Sequence, residues 1–130
     1  MSGIQKLEDL KTWKEAVKLT KEVYSLLSKL PEEEKYNIKK HIMQCSRNAP
    51  ANIAEGFGRY YSNNSIQFYR IAIGSLNELK SDIYLCRELK YFPENDIKKI
   101  VEQLDRCISM IYGLIRSANK NKDLSKRSSS

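Results

Sequence analysis

The feature that most constrains this chain is a spacing of three or four residues between apolar side chains, which recurs in four separate blocks. In the first block Leu10, Trp13, Val17, Thr20, Tyr24 and Leu27 follow one another at steps of 3, 4, 3, 4 and 3. Side chains so spaced line one face of a helix and cannot share a face of a strand, whose period is two. The second block holds Ile38, Ile42, Cys45, Ala49, Ile53 and Gly56, and the third Phe68, Ala72, Leu76, Leu79, Ile83 and Cys86. The fourth runs through Ile97, Val101, Leu104, Ile108, Ile111, Ile115 and Ala118. Pro31 ends the first block at Leu30, because its ring clashes with the preceding turn. Glu32, Glu33 and Glu34 suit the first turn of a helix, where negative charge meets unpaired N–H groups. Asn64 with Gln67 reads as a reciprocal N-terminal cap, and Tyr91-Phe92-Pro93 separates the third block from the fourth. With short connections and no run of period two, the pattern predicts an all-α, antiparallel up-down-up-down four-helix bundle. Its helices are expected over about 9–30, 33–57, 64–90 and 94–118, after an arm at 1–8 and before a basic, flexible tail at 119–130. Pro50 lies inside the second helix and predicts a kink there.

A chain of 130 residues, 41% apolar and 30% charged, fits one soluble domain with a single core. No secretory leader opens it and nowhere do about eighteen apolar residues run together, so neither secretion nor membrane spanning is expected. Cys45, Cys86 and Cys107 are odd in number and lack CxxC spacing, which signals neither a disulfide framework nor a zinc site and suits a reducing cytoplasm. All three fall on expected core faces, where a thiol acts as a small hydrophobe. The only histidine, His41, has no Glu-x-x-His partner, so a carboxylate-bridged di-iron centre is disfavoured. No catalytic residues, cofactor or metal are expected.

The net charge of +7 is unevenly spread. Residues 1–115 carry 18 Lys or Arg against 15 acids, and residues 116–130 carry five against one. In an up-down-up-down bundle the N-terminus, the corner between the second and third helices and the C-terminal tail share one end. Lys6, Lys11, Arg59, Arg116, Lys120, Lys122, Lys126 and Arg127 would then form a cationic pole, with Tyr60 and Tyr61 as stacking platforms for unpaired bases. A second cationic row, Lys11, Lys14, Lys18 and Lys21, alternates with Glu15 and Glu22 at salt-bridge spacing and reads as a solvated face. Leu19, Leu26, Tyr69, Ile73 and Tyr84 fall beside the main stripes and are expected to face outward, as candidate contacts between subunits.

The corner itself reads NIAEGFGRYYSNN, residues 52–64. No strand precedes its glycines and no Lys-Ser or Lys-Thr follows, so a helix stop is favoured over a phosphate loop. Gly58 is expected to take the positive φ that ends many helices, and Glu55 to pair with Arg59. Asn52 and Glu55 could line a small pocket near the corner, but buried capping or subunit contacts explain them more simply. Small residues, Gly56 and mid-helix Gly74 among them, would let the second and third helices approach closely.

The pieces DLKTWKEAVKLTKEVY, NIAEGFGR and IAIGSLNELKSDIYL, in that order, resemble the 23S rRNA-intervening sequence family of four-helix-bundle proteins. The match covers roughly residues 7–118, and Asn52-Ile53-Ala54-Glu55-Gly56 with Gly74-Ser75-Leu76 and Glu78 is its most specific part. The resemblance implies a homopentamer and a role in binding RNA. That family is in turn similar to the accessory proteins of diversity-generating retroelements, basic pentamers that bind nucleic acid and a reverse transcriptase, from which this chain differs in its NIAEG segment. Two functions follow as alternatives: a non-catalytic, RNA-binding oligomer, or a bundle that docks a partner enzyme such as a reverse transcriptase.

Overall fold

A computed structural model describes residues 6–59 and 64–129, with side chains as far as residue 121. The four apolar blocks form four helices: α1 (Lys11–Leu26), α2 (Ile38–Gly58), α3 (Ser65–Glu88) and α4 (Glu94–Ser129). Among the described residues there is no strand. Short 3-10 turns precede α1 (Leu7–Asp9), extend it (Leu27–Lys29) and lie between Pro31 and α2 (Glu32–Glu34).

Cross-helix contacts show how the helices run. His41 meets Asp82, Cys45 meets Glu78, and Gly56 lies against Tyr69, so the α3 partner falls in number as α2 rises. Glu15 meets Arg106 and Lys29 meets Asp96, which makes α1 and α4 antiparallel in the same way. Thr20 to Ser46 and Lys80 to Asp105 each join residues at similar distances from the intervening turn, as in a helical hairpin. The register gathers Lys6, Lys11, Arg59, Arg116 and Lys120 at one end.

The second block is buried as the spacing predicts: Ile38, Ile42, Cys45, Ala49, Ile53 and Gly56 all face the core. On α1 the stripe is rotated. Thr12, Ala16, Leu19, Val23 and Leu26 are buried, whereas Trp13, Val17, Thr20 and Tyr24 are only half-buried at its edge. Both sets have helical spacing, and only the positions of α2 and α4 decide which set faces inward. Leu19, Leu26, Tyr69 and Ile73, expected to face outward, are therefore core residues, and Tyr84 is half-buried.

Several boundaries also differ. α2 begins at Ile38 rather than near 33, because no side chain from Glu32 to Asn37 is buried and packing gives that stretch no reason to be α-helical. Asn64 occupies the N-cap position of α3, but its side chain makes no capping bond. Gly58 stays within α2 without positive φ; the helix ends instead as Arg59 leaves helical geometry (φ −109°, ψ 29°). Conversely, Lys90 takes φ 62° after α3. There the Tyr91 N–H donates to the Cys86 carbonyl (2.8 Å) and the Lys90 N–H to the Arg87 carbonyl (3.0 Å), the Schellman pattern usually built on glycine. α4 continues as helix to Ser129, past the boundary expected at 118, since no Gly or Pro after Gly113 interrupts it.

α2 runs through Pro50 without a break. Proline has no N–H to offer the carbonyl four residues back, that of Ser46. The Thr20 hydroxyl of α1 supplies a donor instead, 2.9 Å from the Ser46 oxygen and equally 2.9 Å from that of Ala16, so one proton is shared between the two helices. No helix among the described residues is long and apolar enough to cross a membrane.

Candidate nucleic-acid interface and a polar cluster

The NIAEG segment is explained by packing. Ile53 is buried, the Asn52 side chain donates to the Asn48 carbonyl (2.8 Å), and Glu55 pairs with Arg59 at 3.5 Å. A Cβ on Gly56 would sit 2.7 Å from Cδ1 of Tyr69, closer than real Cβ atoms approach, and 3.0 Å from the Ser65 carbonyl oxygen, tighter than most of them. Gly56 is thus the close contact between α2 and α3. Gly74 is not: it faces outward, and a Cβ there would meet nothing within 4 Å. The small-residue argument holds for one glycine and fails for the other.

Of the residues expected at the cationic pole, Lys6, Lys11, Arg116 and Lys120 are exposed. Arg59 is engaged locally, by Glu55 and over the Phe68 ring at 5.1 Å. Tyr60 and Tyr61 lie outside the described residues, as do the side chains of Lys122, Lys126 and Arg127.

Further unpaired cations lie on the α1–α2 hairpin, in the α1 lysine row and in a groove at the start of α2 that the sequence reading did not foresee. The salt bridges expected to neutralise the α1 lysines do not form. Glu15 instead accepts from Arg106 of α4 at 3.2 Å, and Glu22 lies against the side-chain amide of buried Gln103, which donates to it with the amide oxygen and nitrogen exchanged. Both glutamates turn toward α4, leaving Lys11, Lys14, Lys18 and Lys21 without an ion pair among the described residues. Lys35 and Tyr36, in the turn before α2, and Lys39, Lys40, Met43, Gln44 and Arg47 of α2 line an open groove of about 460 Å³. None of its four cations forms an ion pair among the described residues. Tyr36 is 79% exposed, with the Lys35 ammonium 5.6 Å from its ring centre. Tyr36, Lys40, Met43 and Arg47 follow at steps of 4, 3 and 4, a stripe opposite the apolar one that a search for polar periodicity would have found.

The α3–α4 turn lines a second recess, about 890 Å³, with Lys29, Arg87 and Lys90 beside Glu88 and Glu94. Its charges are largely satisfied: Lys29 bonds Asp96 at 2.7 Å and Arg87 bonds Glu88 at 3.0 Å. This recess lacks the uncompensated positive charge of the α2 groove.

A separate cluster lies where α2 faces α3. His41 and Cys45 are four residues apart on α2, and Glu78 and Asp82 four apart on α3, so each pair shares a helix face. His41 Nδ1 bonds Asp82, while His41 Nε2 lies 3.4 Å from Glu78 Oε2. Cys45 Sγ is 3.5 Å from both that nitrogen and that oxygen. The hydrogen bond to Asp82 raises the His41 pKa above its ordinary value. Burial raises that of Asp82, with contact to His41 opposing it. Burial, aided by the Glu78 carboxylate, pushes the Cys45 thiol up to about 12. Cys86 and Cys107 are buried free thiols, also pushed up to about 12 by burial.

A crystal structure from Bacteroides thetaiotaomicron VPI-5482, of a protein of unknown function from the S23 ribosomal protein family, has a similar fold: TM-score 0.72 at 18% identity, covering 80% of this chain and 97% of that one. A comparison with curated proteins finds no match. The family model described as 23S rRNA-intervening sequence protein matches residues 8–113, which take in the first three helices and the first half of α4. By that match the chain belongs to the 23S rRNA-intervening sequence protein family.

Proposed function

We propose that this protein is a non-catalytic RNA-binding oligomer whose principal phosphate-contacting surface is the outward side of the α1–α2 hairpin. The observation that carries this reading is the α2 groove, where Lys35, Lys39, Lys40 and Arg47 surround an exposed Tyr36 with no carboxylate paired to any of them. Unpaired cations attract a phosphate backbone by releasing its counterions, and an exposed aromatic ring offers a base a face to stack on. Sequence-specific RNA recognition favours single-stranded segments whose bases are free to stack, which fits RNA with loops better than a DNA duplex. The cationic pole at the end holding Lys6, Lys11, Arg116 and Lys120 would extend the same surface.

The test is a binding titration with structured RNA at several salt concentrations. Affinity should fall by orders of magnitude between about 50 and 200 mM salt if several phosphates are contacted. A salt-independent affinity, or no binding, would refute the reading. Removing residues 117–130 should weaken binding while helicity persists.

Self-association is the second part of the proposal, and the outer face of α3 supports it. Ile71, Leu85 and Leu89 are exposed apolar residues there, and Gly74 lies on the same helix with open space around it. An exposed glycine inside a helix costs about 1 kcal/mol relative to alanine, and nothing within the subunit offsets that. A second copy packed closely against α3 would. Five copies, as in the pentamer implied by the family resemblance, are the expected assembly, and mass measurement in solution tests it. If the chain proves monomeric, the same face becomes a candidate dock for a partner enzyme such as a reverse transcriptase.

A further inference from the structure

The geometry points to a metal site between α2 and α3: we propose that Cys45 Sγ, His41 Nε2 and Glu78 Oε2 bind one divalent transition-metal ion of the zinc type, with Asp82 positioning His41. This inference is independent of the RNA reading.

The distances carry it. Zinc bonds of about 2.3 Å to sulfur and about 2.0–2.2 Å to nitrogen and oxygen, set at tetrahedral angles, separate neighbouring ligand atoms by about 3.4–3.6 Å. The three edges between Cys45 Sγ, His41 Nε2 and Glu78 Oε2 measure 3.5, 3.5 and 3.4 Å. Three donors from two helices thus stand at the mutual distances of one face of a tetrahedron; Sγ also lies 3.8 Å from His41 Nδ1, beside the ring, so the imidazole must turn for its Nε2 lone pair to face the ion. The fourth position is left for water or a further ligand.

The second layer fits as well. A metal-bound histidine generally gives its other ring N–H to a carboxylate, which fixes the tautomer and the ring plane. His41 Nδ1 is bonded to Asp82, whose carboxylate is 14% exposed and so shielded from water. That bond occupies Nδ1 and leaves Nε2, 3.4 Å from Glu78, as the nitrogen open to an ion. An ion arriving there replaces any proton on Nε2, and Cys45 releases its thiol proton to solvent as the sulfur–metal bond forms. Access is open on one side, since the His41 and Glu78 side chains are 46% and 63% exposed, while Cys45 closes the floor at 2%. A soft thiolate and an imidazole select zinc, cobalt and their neighbours over magnesium and calcium, which prefer oxygen ligands throughout.

The experiment uses the full-length protein, reduced and stripped of metal with a chelator, titrated with cobalt(II) and then zinc(II). We expect one cobalt per chain, a near-ultraviolet thiolate-to-cobalt band, visible bands typical of four-coordination, and loss of all of them when zinc displaces the cobalt. Cys45→Ser should abolish the thiolate band, while Cys86→Ser keeps it. Glu78→Gln, at an exposed position that cannot disturb the core, should weaken cobalt affinity at least tenfold, and Asp82→Asn by about 10–100-fold. If Cys45→Ser loses helical circular dichroism, Glu78→Gln and His41→Ala decide the matter. Absence of stoichiometric cobalt binding, binding without a thiolate band, or unchanged affinity in Glu78→Gln and His41→Ala would overturn the site. Unchanged affinity in Asp82→Asn would overturn the positioning role.

Discussion

The α1–α2 and α3–α4 hairpins are built from similar helices, yet only the first gathers four unpaired cations round an exposed aromatic ring in one groove. On α3 and α4 Lys80, Arg87 and Arg106 each have a carboxylate within reach, Asp105 at 2.8 Å, Glu88 at 3.0 Å and Glu15 at 3.2 Å, while Arg70, Lys90, Lys98, Lys99, Arg116 and Lys120 have none among the described residues. On α1–α2 eight cations, Lys11, Lys14, Lys18, Lys21, Lys35, Lys39, Lys40 and Arg47, have none among the described residues. The two arrangements are linked, because Arg106 of α4 draws away one glutamate, Glu15, that the α1 lysines would otherwise share. An ion pair presented to solvent has little left to offer a phosphate, whereas an uncompensated cation keeps its full attraction. The contrast lies in that groove, and it is the ground on which the α1–α2 side is proposed as the polyanion-binding face.

The largest effect expected is on RNA. Reversing three groove charges together, Lys39→Glu, Lys40→Glu and Arg47→Glu, should lower affinity by about two orders of magnitude at ~50 mM salt and flatten the salt slope by about two. Lys80→Glu with Arg87→Glu should change affinity by less than about threefold; equal losses in filter-binding or fluorescence titrations would break the comparison. Tyr36→Ala should cost about 1–3 kcal/mol of binding if a base stacks on it, with no loss of melting temperature.

The glycines divide along the same line. Gly56→Ala forces a methyl against Tyr69 and the Ser65 carbonyl, and should destabilise the fold by about 1–3 kcal/mol in urea titration. Gly74→Ala should stabilise the helix by about 1 kcal/mol while reducing the mass of the assembly in sedimentation; a heavier or unchanged particle would remove α3 as the contact face. Smallest is Lys80→Ala, which breaks a half-exposed ion pair and should cost at most about 0.2–1 kcal/mol.

How legible all this was varies with the kind of fact. The buried face of α2 could be read residue by residue, because a single apolar stripe with polar flanks admits only one inward side. α1 could not, since Trp13, Val17 and Tyr24 compete with Ala16, Leu19 and Val23 at equivalent spacing. The groove was hidden by the rule that Lys and Glu four residues apart pair along a helix. That rule fails once a neighbouring helix offers the glutamates better partners. The polar cluster was hidden by distance along the chain: Cys45 and Glu78 are 33 residues apart, and His41 with Cys45 alone supplies only two of the donors.

The apolar rhythm, the proline and acidic punctuation and the count of blocks by themselves determined four helices in one bundle, because helix periodicity is a local property and burying four apolar stripes demands that they face one another. Which α1 residues point inward, which glycine is indispensable, which lysines stay unpaired and which four polar side chains meet were decided only by tertiary structure. Rotation and axial register between helices set each of these, and a few ångströms of either separate a salt bridge from a bare cation.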